Sequence, residues 1–218
     1  MRVKVFQDIL DANDRLAEMN RAVFAEHHLL VLNLIGSPGC GKTTLLEKTL
    51  ASLLARKKLR PGAVEGDLET SRDAERIARC GVPAVQINTQ GACHLDAAMI
   101  QSVLPALPLN ELDVLFIENV GNLVCPADYD LGETCKVVLL SVTEGDDKPA
   151  KYPYIFRKAR AAVVTKMDLL QHTDFALDAA SRDMRIAKPD IVAFQVSART
   201  GEGMDRWLEW IESLAPRK

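Results

Sequence analysis

Apolar residues recur near helical spacing at the start of the chain. Val5, Ile9, Leu16, Met19 and Val23 fall among charged neighbours, which predicts an amphipathic helix over residues 5–24. Beyond it, short apolar runs alternate with helical stretches. The runs at 29–35, 62–65, 84–88, 114–118, 137–142, 161–165 and 191–196 read as strands. The stretches near 42–56, 70–80, 94–103, 152–159, 173–186 and 203–214 read as helices. In the last of these Met204, Trp207, Leu208, Ile211 and Leu214 share one face. Strands alternating with helices predict βαβ units and a mostly parallel sheet flanked by helices. Several strands are apolar on consecutive residues, as expected when both faces of a sheet are covered. The expectation is a single α/β domain at 29–218, preceded by an N-terminal helix within residues 1–28, with no internal repeat or low-complexity linker.

Composition narrows the picture. The 218 residues are 48% hydrophobic and 26% charged, which excludes a disordered or collagen-like chain. Lys and Arg number 27 against 30 Asp and Glu, so the formal charge is 27 − 30 = −3. That balance argues against nucleic acid or a membrane surface as partner. The first ten residues lack the apolar core of a signal peptide, and no apolar run approaches the ~18 residues that span a bilayer. Five scattered cysteines, Cys40, Cys80, Cys93, Cys125 and Cys135, then suit free thiols in a reducing cytoplasm.

The most specific motif is Gly36-Ser37-Pro38-Gly39-Cys40-Gly41-Lys42-Thr43, followed by Thr44. It matches G-x-x-x-x-G-K-[ST] in full, after an apolar strand and at the start of a helix. The glycines let backbone N–H groups curl round a phosphate, and the helix N-terminus adds positive potential. Lys42 is expected to reach the β/γ-phosphates and the Thr43 hydroxyl to hold Mg²⁺. The domain is therefore of the P-loop NTPase type.

Three later segments bear on the base and the terminal phosphate. Thr165-Lys166-Met167-Asp168 ends a strand where GTPases carry N-K-x-D. Asp168 is placed to accept two hydrogen bonds that guanine offers and adenine does not, with the Lys166 stem along the base. Thr165 replaces the usual Asn and keeps one hydroxyl to tie this loop to the phosphate loop. Ser197-Ala198-Arg199-Thr200-Gly201 resembles the loop that supports guanine, through Ser197 and Ala198. Glu118-Asn119-Val120-Gly121 stands where GTPases place D-x-x-G, with Glu118 one methylene longer than Asp and its Mg²⁺ contact routed through water. Asp67, at the end of the second strand, is expected to face the γ-phosphate or complete the Mg²⁺ shell. The competing reading makes Asp67 or Thr70 a helix cap. Lys42, Asp67 and Glu118 are the expected catalytic groups.

Cys93 and His94 follow the third strand, and Cys125 follows the fourth. An adjacent Cys-His pair with a second strand-end thiol is soft-ligand chemistry suited to Ni²⁺ or Zn²⁺. Three ligands leave a tetrahedral site open, so either the site is labile or a second subunit completes it. Cys40, Cys80 and Cys135 read as small buried hydrophobes.

These segments together resemble the hydrogenase-maturation nickel-inserting GTPases called HypB, of the SIMIBI class of P-loop GTPases. The resemblance covers nearly the whole chain: Ala12-Asn13-Asp14-Arg15, the phosphate loop, and the segments 91–96, 118–126 and 144–149. It implies a GTP-hydrolysing metallochaperone that forms a homodimer in the GTP-bound state. It further implies a labile metal site at the subunit junction, from residues matching Cys93, His94 and Cys125 of both chains. The partners it implies are a HypA-type nickel/zinc accessory protein and the precursor of the hydrogenase large subunit. The urease-maturation GTPases are the alternative, but their Cys-Pro-His arrangement is absent. A small-molecule or nucleotide kinase is a further alternative, although Arg157, Arg160 and Arg182 are too scattered for a lid. A metal-binding adaptor with a merely structural nucleotide is the last. Many HypB proteins add an N-terminal Cys-x-x-Cys or histidine-rich tract; this sequence has neither, so transient handling rather than storage of nickel is expected. No glutamine or arginine finger is evident, which predicts slow turnover, near 10⁻⁴ to 10⁻² s⁻¹ as in unassisted GTPases. Lys148 reads as a solvated lysine in a charged loop, with a part in the nucleotide site or subunit contact as the alternative.

Overall fold

Seven strands lie side by side in the order β3-β2-β4-β1-β5-β6-β7, and every neighbouring pair is parallel. They are β1 (Leu30–Gly36), β2 (Pro61–Asp67), β3 (Ala84–Asn88), β4 (Val114–Glu118), β5 (Cys135–Ser141), β6 (Ala159–Thr165) and β7 (Val192–Gln195). This computed structural model describes residues 5–67 and 72–216, with the backbone alone at 5–9, 72 and 74.

The central strand shows why the sheet is covered on both sides. All seven residues of β1 are buried. Leu30, Leu32 and Leu34 pack with Leu46 and Leu50 of α2 (Lys42–Arg56) and with Trp207 and Ile211 of α8 (Met204–Leu214). On the other face Val31 joins Phe24 of α1 (Val5–Glu26) and Ile100 of α4 (Ala97–Val103). Ile35 joins Phe156 of α6 (Pro153–Lys158) and Met184 of α7 (Leu177–Ala187). Each such side chain taken from water contributes roughly 1.5–3 kcal/mol.

The amphipathic N-terminal helix is present as α1 and is fastened by two buried amides. Asn13 donates to the Asp130 carbonyl (2.9 Å) and accepts from the Ala97 N–H (2.9 Å). Asn20 donates to the carbonyls of Ala97 (2.9 Å) and Leu131 (3.1 Å). The helix thereby joins the layer over α4 instead of standing ahead of the sheet.

Two helix expectations need correction. The one at 94–103 begins only at Ala97, because the Asp96 carboxylate caps the Met99 N–H (2.8 Å) and ends the loop there. His94 therefore sits on a loop. The one at 152–159 is met by α6, which Pro153 opens at a position where no N–H is needed, and a separate short helix, α5 (Lys148–Lys151), precedes it. The one at 173–186 starts late, after a 3₁₀ stretch at Met167–His172 and an extended Thr173. The expected helix at 70–80 is seen as α3 (Arg72–Ala78); Thr70 lies outside the described residues.

The chain first builds outward on one side of β1, returns in β4, and then crosses to build β5 to β7 on the other side. The loops leaving β1 and β4 at their carboxyl ends frame a crevice, the position where open α/β sheets bind ligands.

Candidate nucleotide and metal site

The phosphate loop leaves β1 at Gly36 and enters α2 at Lys42. Gly41 caps the helix with φ 94° and no side-chain hydrogen bond, so the first N–H groups of α2 have no side-chain cap. Lys42 folds over its own loop, donating to the carbonyls of Gly36 (3.3 Å) and Ser37 (3.4 Å). Cys40 is fully buried, and a Cβ at Gly36 would lie 2.5 Å from its sulfur. Its side chain thus packs inward, leaving only its backbone for a phosphate. Burial pushes the Cys40 thiol up to about 11. Lys148 is not a solvated lysine: its ammonium donates to the Ser37 hydroxyl (2.6 Å) and to Glu144. The turn of helix that the charged loop forms after Asp147 brings it there.

Beneath the loop lies a cleft of about 480 Å³ with a carboxylate floor. The Thr43 hydroxyl donates to Glu118 Oε1 (2.7 Å). Glu65 of β2 stands opposite Glu118 in the strand register, and both are only 3% exposed. Among the described residues, the Oε2 atom of each is buried without a hydrogen-bond partner. Burial pushes Glu118 up to about 7, against the Thr43 hydrogen bond and the Lys42 charge. Burial, with Glu118 and Asp67 nearby, pushes Glu65 up to about 8. Asp67 lines the same cleft, two residues beyond Glu65 on the same face of β2. An acid floor with two unpaired oxygens under a phosphate loop fits a hard divalent cation such as Mg²⁺.

The sequence reading missed two groups here. Glu65 was visible in Glu65-Gly66-Asp67, but its pairing with Glu118 depends on strand order. Arg76 of α3 also lines the cleft, where its guanidinium is held by Glu47 (2.6 Å), Asp73 (3.1 Å) and the Thr44 hydroxyl (3.2 Å). The Asp73–Arg76 spacing on a helix was its signal.

A second hollow, of about 190 Å³, adjoins the loop and is lined by Leu45, Thr165, Lys166, Asp168, Val196 and Ala198, among others. The Thr165 hydroxyl donates to the Cys40 carbonyl (2.5 Å), tying the two loops together. Lys166 adopts φ 58° and donates to the Gly39 carbonyl (2.7 Å) and the Thr143 hydroxyl (3.2 Å). The buried Ser197 hydroxyl donates to Asp168 Oδ1 (2.6 Å), which orients the carboxylate.

The three soft ligands converge. Cys93 Sγ lies 3.1 Å from Cys125 Sγ and 3.6 Å from His94 Nδ1, and one ligand atom from each residue falls within 4.8 Å of the others. Cys93 is exposed, whereas His94 and Cys125 are half-buried. The His94 ring rests on Tyr129, with centroids 3.9 Å apart. Burial lowers the His94 pKa, favouring the neutral imidazole that a metal requires. The hydrogen bond to Cys93, with burial, raises the Cys125 thiol. Cys135 is buried and Cys80 half-buried, away from this cluster.

One segment connects both sites. After Glu118, the buried Asn119 amide accepts from the Leu95 N–H (3.1 Å) and donates to Asn33 (3.3 Å). Gly121 packs on the phosphate loop so closely that a Cβ there would lie 2.8 Å from Pro38. Asn122 bridges Gly36 through the backbone and donates to the Cys93 carbonyl (3.3 Å). Cys125 follows three residues later, at the start of a 3₁₀ turn.

Comparison with known proteins places these features in context. The family described as CobW/HypB/UreG, nucleotide-binding domain, matches residues 30–193. The hydrogenase maturation factor HypB of Escherichia coli (strain K12) is 52% identical over 206 residues, covering 94% of this chain and 70% of that one. The factor of the same name from Azotobacter chroococcum mcd 1 is 56% identical over 210 residues, covering 96% and 68%. The crystal structure of HypB from Helicobacter pylori in complex with nickel superposes with a TM-score of 0.88 at 39% identity, covering 95% of this chain and 99% of that one.

Proposed function

Since the chain belongs to the CobW/HypB/UreG family of nucleotide-binding domains, we propose that it is a GTP-hydrolysing switch that carries nickel into hydrogenase during maturation. The observation that carries this reading is the single segment 118–125. It starts at the carboxylate bonded to Thr43 and ends at one of the three converged metal ligands.

GTP is bound through residues 36–44, with the Lys42 ammonium turned from its own loop carbonyls to the phosphates. Asp168, oriented by Ser197, accepts the guanine N1–H and amino hydrogens, while Ala198 and the Lys166 stem border the base. Mg²⁺, held at Thr43, Glu118 and Asp67, supplies charge neutralisation of the phosphates. A γ-phosphate orders the loops at Asp67 and at Glu118–Gly121, a recurrent design of nucleotide switches. Movement there displaces Asn122 and with it the Cys93 carbonyl, which alters the geometry offered to the nickel cargo. In the GTP-bound state two copies join, and ligands from both chains complete the open three-ligand site. A HypA-type nickel/zinc protein delivers the metal, and the hydrogenase large-subunit precursor receives it. Zn²⁺ satisfies the same donors. Urease is the second acceptor to assay.

Linkage supplies the test. If a non-hydrolysable GTP analogue changes Ni²⁺ affinity by some factor, Ni²⁺ must change the analogue's affinity by the same factor. The expected result is a shared factor between about 5 and 150, lost in Cys125→Ala. Equal affinities with and without the other ligand would refute the switch. A size measurement under the same four conditions, showing one copy throughout, would remove the dimer.

A further inference from the structure

One buried carboxylate is left without a task by the chemistry above. Glu65 stands beside Glu118 across the β2–β4 pairing, as buried as its neighbour. A buried acid kept for structure is ordinarily saturated with donors, as Glu133 is here by Asn33 (3.1 Å), Lys136 (2.6 Å) and the Leu131 N–H (2.7 Å). Among the described residues Glu65 Oε2 has no such donor, and the residue lines the cleft with Lys42, Thr43, Asp67 and Glu118. The remaining residues of β2 up to that point, Pro61 to Val64, carry no polar side chain that could use it. An uncompensated oxygen in this position is costly unless a cation arrives.

We propose that Glu65 is a positioning residue for the nucleotide's Mg²⁺, its carboxylate accepting hydrogen bonds from water molecules that the ion retains. The inference rests on the reading of the phosphate loop as a Mg²⁺–nucleotide site. Mg²⁺ sheds its water reluctantly and is usually bound with several waters still attached. Those waters need acceptors, and acceptors of this kind typically set metal affinity by about 10–100-fold. Glu118 has one oxygen engaged by Thr43 and one unpaired; Glu65 adds a second unpaired oxygen on the neighbouring strand.

The experiment is a Mg²⁺ titration of fluorescent GDP and of a fluorescent non-hydrolysable GTP analogue on the full chain, against the same binding in EDTA. In Glu65→Gln the Mg²⁺ midpoint is expected to rise about 10–100-fold, with nucleotide affinity in EDTA unchanged. Glu65→Asp keeps the charge and should recover part of that shift. A Mg²⁺ midpoint unchanged in Glu65→Gln overturns the assignment, as does an equal loss with and without Mg²⁺. Wild-type binding that ignores Mg²⁺ altogether instead overturns the Mg²⁺–nucleotide reading, and the assignment falls with it. Thermal melting without nucleotide checks folding: replacing a buried acid by its isosteric amide should not lower the midpoint.

Discussion

Asn122→Ala is the sharpest probe of the connection between the two sites. The amide donates to the Cys93 carbonyl at 3.3 Å and accepts from the Val124 N–H at 2.9 Å. The first holds one thiol segment and the second shapes the turn that presents Cys125. Both lie at the half-buried rim, so each contributes about 0.5–1 kcal/mol net, and the pair about 1–2 kcal/mol. If that energy holds the thiols together at 3.1 Å, Ni²⁺ affinity should fall about 5–30-fold, since 1.4 kcal/mol is a factor of ten. The backbone bridge between Asn122 and Gly36 does not use the side chain. Nucleotide affinity without metal should therefore stay within a factor of about two, well under the 1.4 kcal/mol that a tenfold loss represents. Competition against a chromophoric nickel chelator at fixed pH measures the first quantity, and fluorescent nucleotide binding measures the second. Unchanged Ni²⁺ affinity in a variant with wild-type circular dichroism would refute the role given to this amide. A parallel loss of nucleotide affinity would show instead that the substitution disturbs the phosphate loop itself.

Further outcomes follow from the same geometry. Asp168→Asn should weaken guanine nucleotide binding by about 100-fold or more, because it removes a charged acceptor of two hydrogen bonds. Xanthine nucleotides, whose C2 carbonyl accepts from the new amide, should gain; competition binding with both bases decides. The nucleotide-free chain in EDTA should lose stability as pH rises from about 5 to 8. Glu65 and Glu118 hold their protons more tightly when folded, near 8 and 7, than at the ordinary 4.5, so folding takes up protons across that window. The loss should be a few kcal/mol by urea midpoints and smaller in Glu65→Gln; a midpoint that climbs with pH would contradict the burial argument. Trp207→Ala should cost roughly 3–5 kcal/mol, since the ring is fully buried and its N–H donates to Thr49 (2.9 Å). Denaturant titration checks it, and a cost under about 1 kcal/mol would place the ring outside the core.

Much of the candidate nucleotide site was legible along the chain because its parts are contiguous. The phosphate loop occupies consecutive positions, and the strand at 84–88 and the helix at 42–56 have the bounds that periodicity implied. Thr165 was expected to give one hydroxyl to the phosphate loop, and a hydrogen bond to Cys40 is found there. The misreadings were equally local in cause. A capping carboxylate at Asp96 outweighed apolar spacing in the helix it shortens, and a 3₁₀ stretch ending in an extended Thr173 delayed the start of α7.

What the sequence alone determined was which chemical groups exist and which short loops they occupy: a glycine-rich phosphate-loop motif, the Asp168 carboxylate, two thiols and an imidazole. Only the tertiary structure decided which of them meet. Cys93 and Cys125 stand 32 residues apart and converge because Asn119 and Asn122 tie the loops after β3 and β4 together. Glu65, its Oε2 unpaired among the described residues, stands beside Glu118 because β2 is inserted next to β4 and not next to β1. Side-chain periodicity reports the face a residue occupies, but the neighbour across a sheet is set by strand order, which depends on long-range burial that no local pattern encodes.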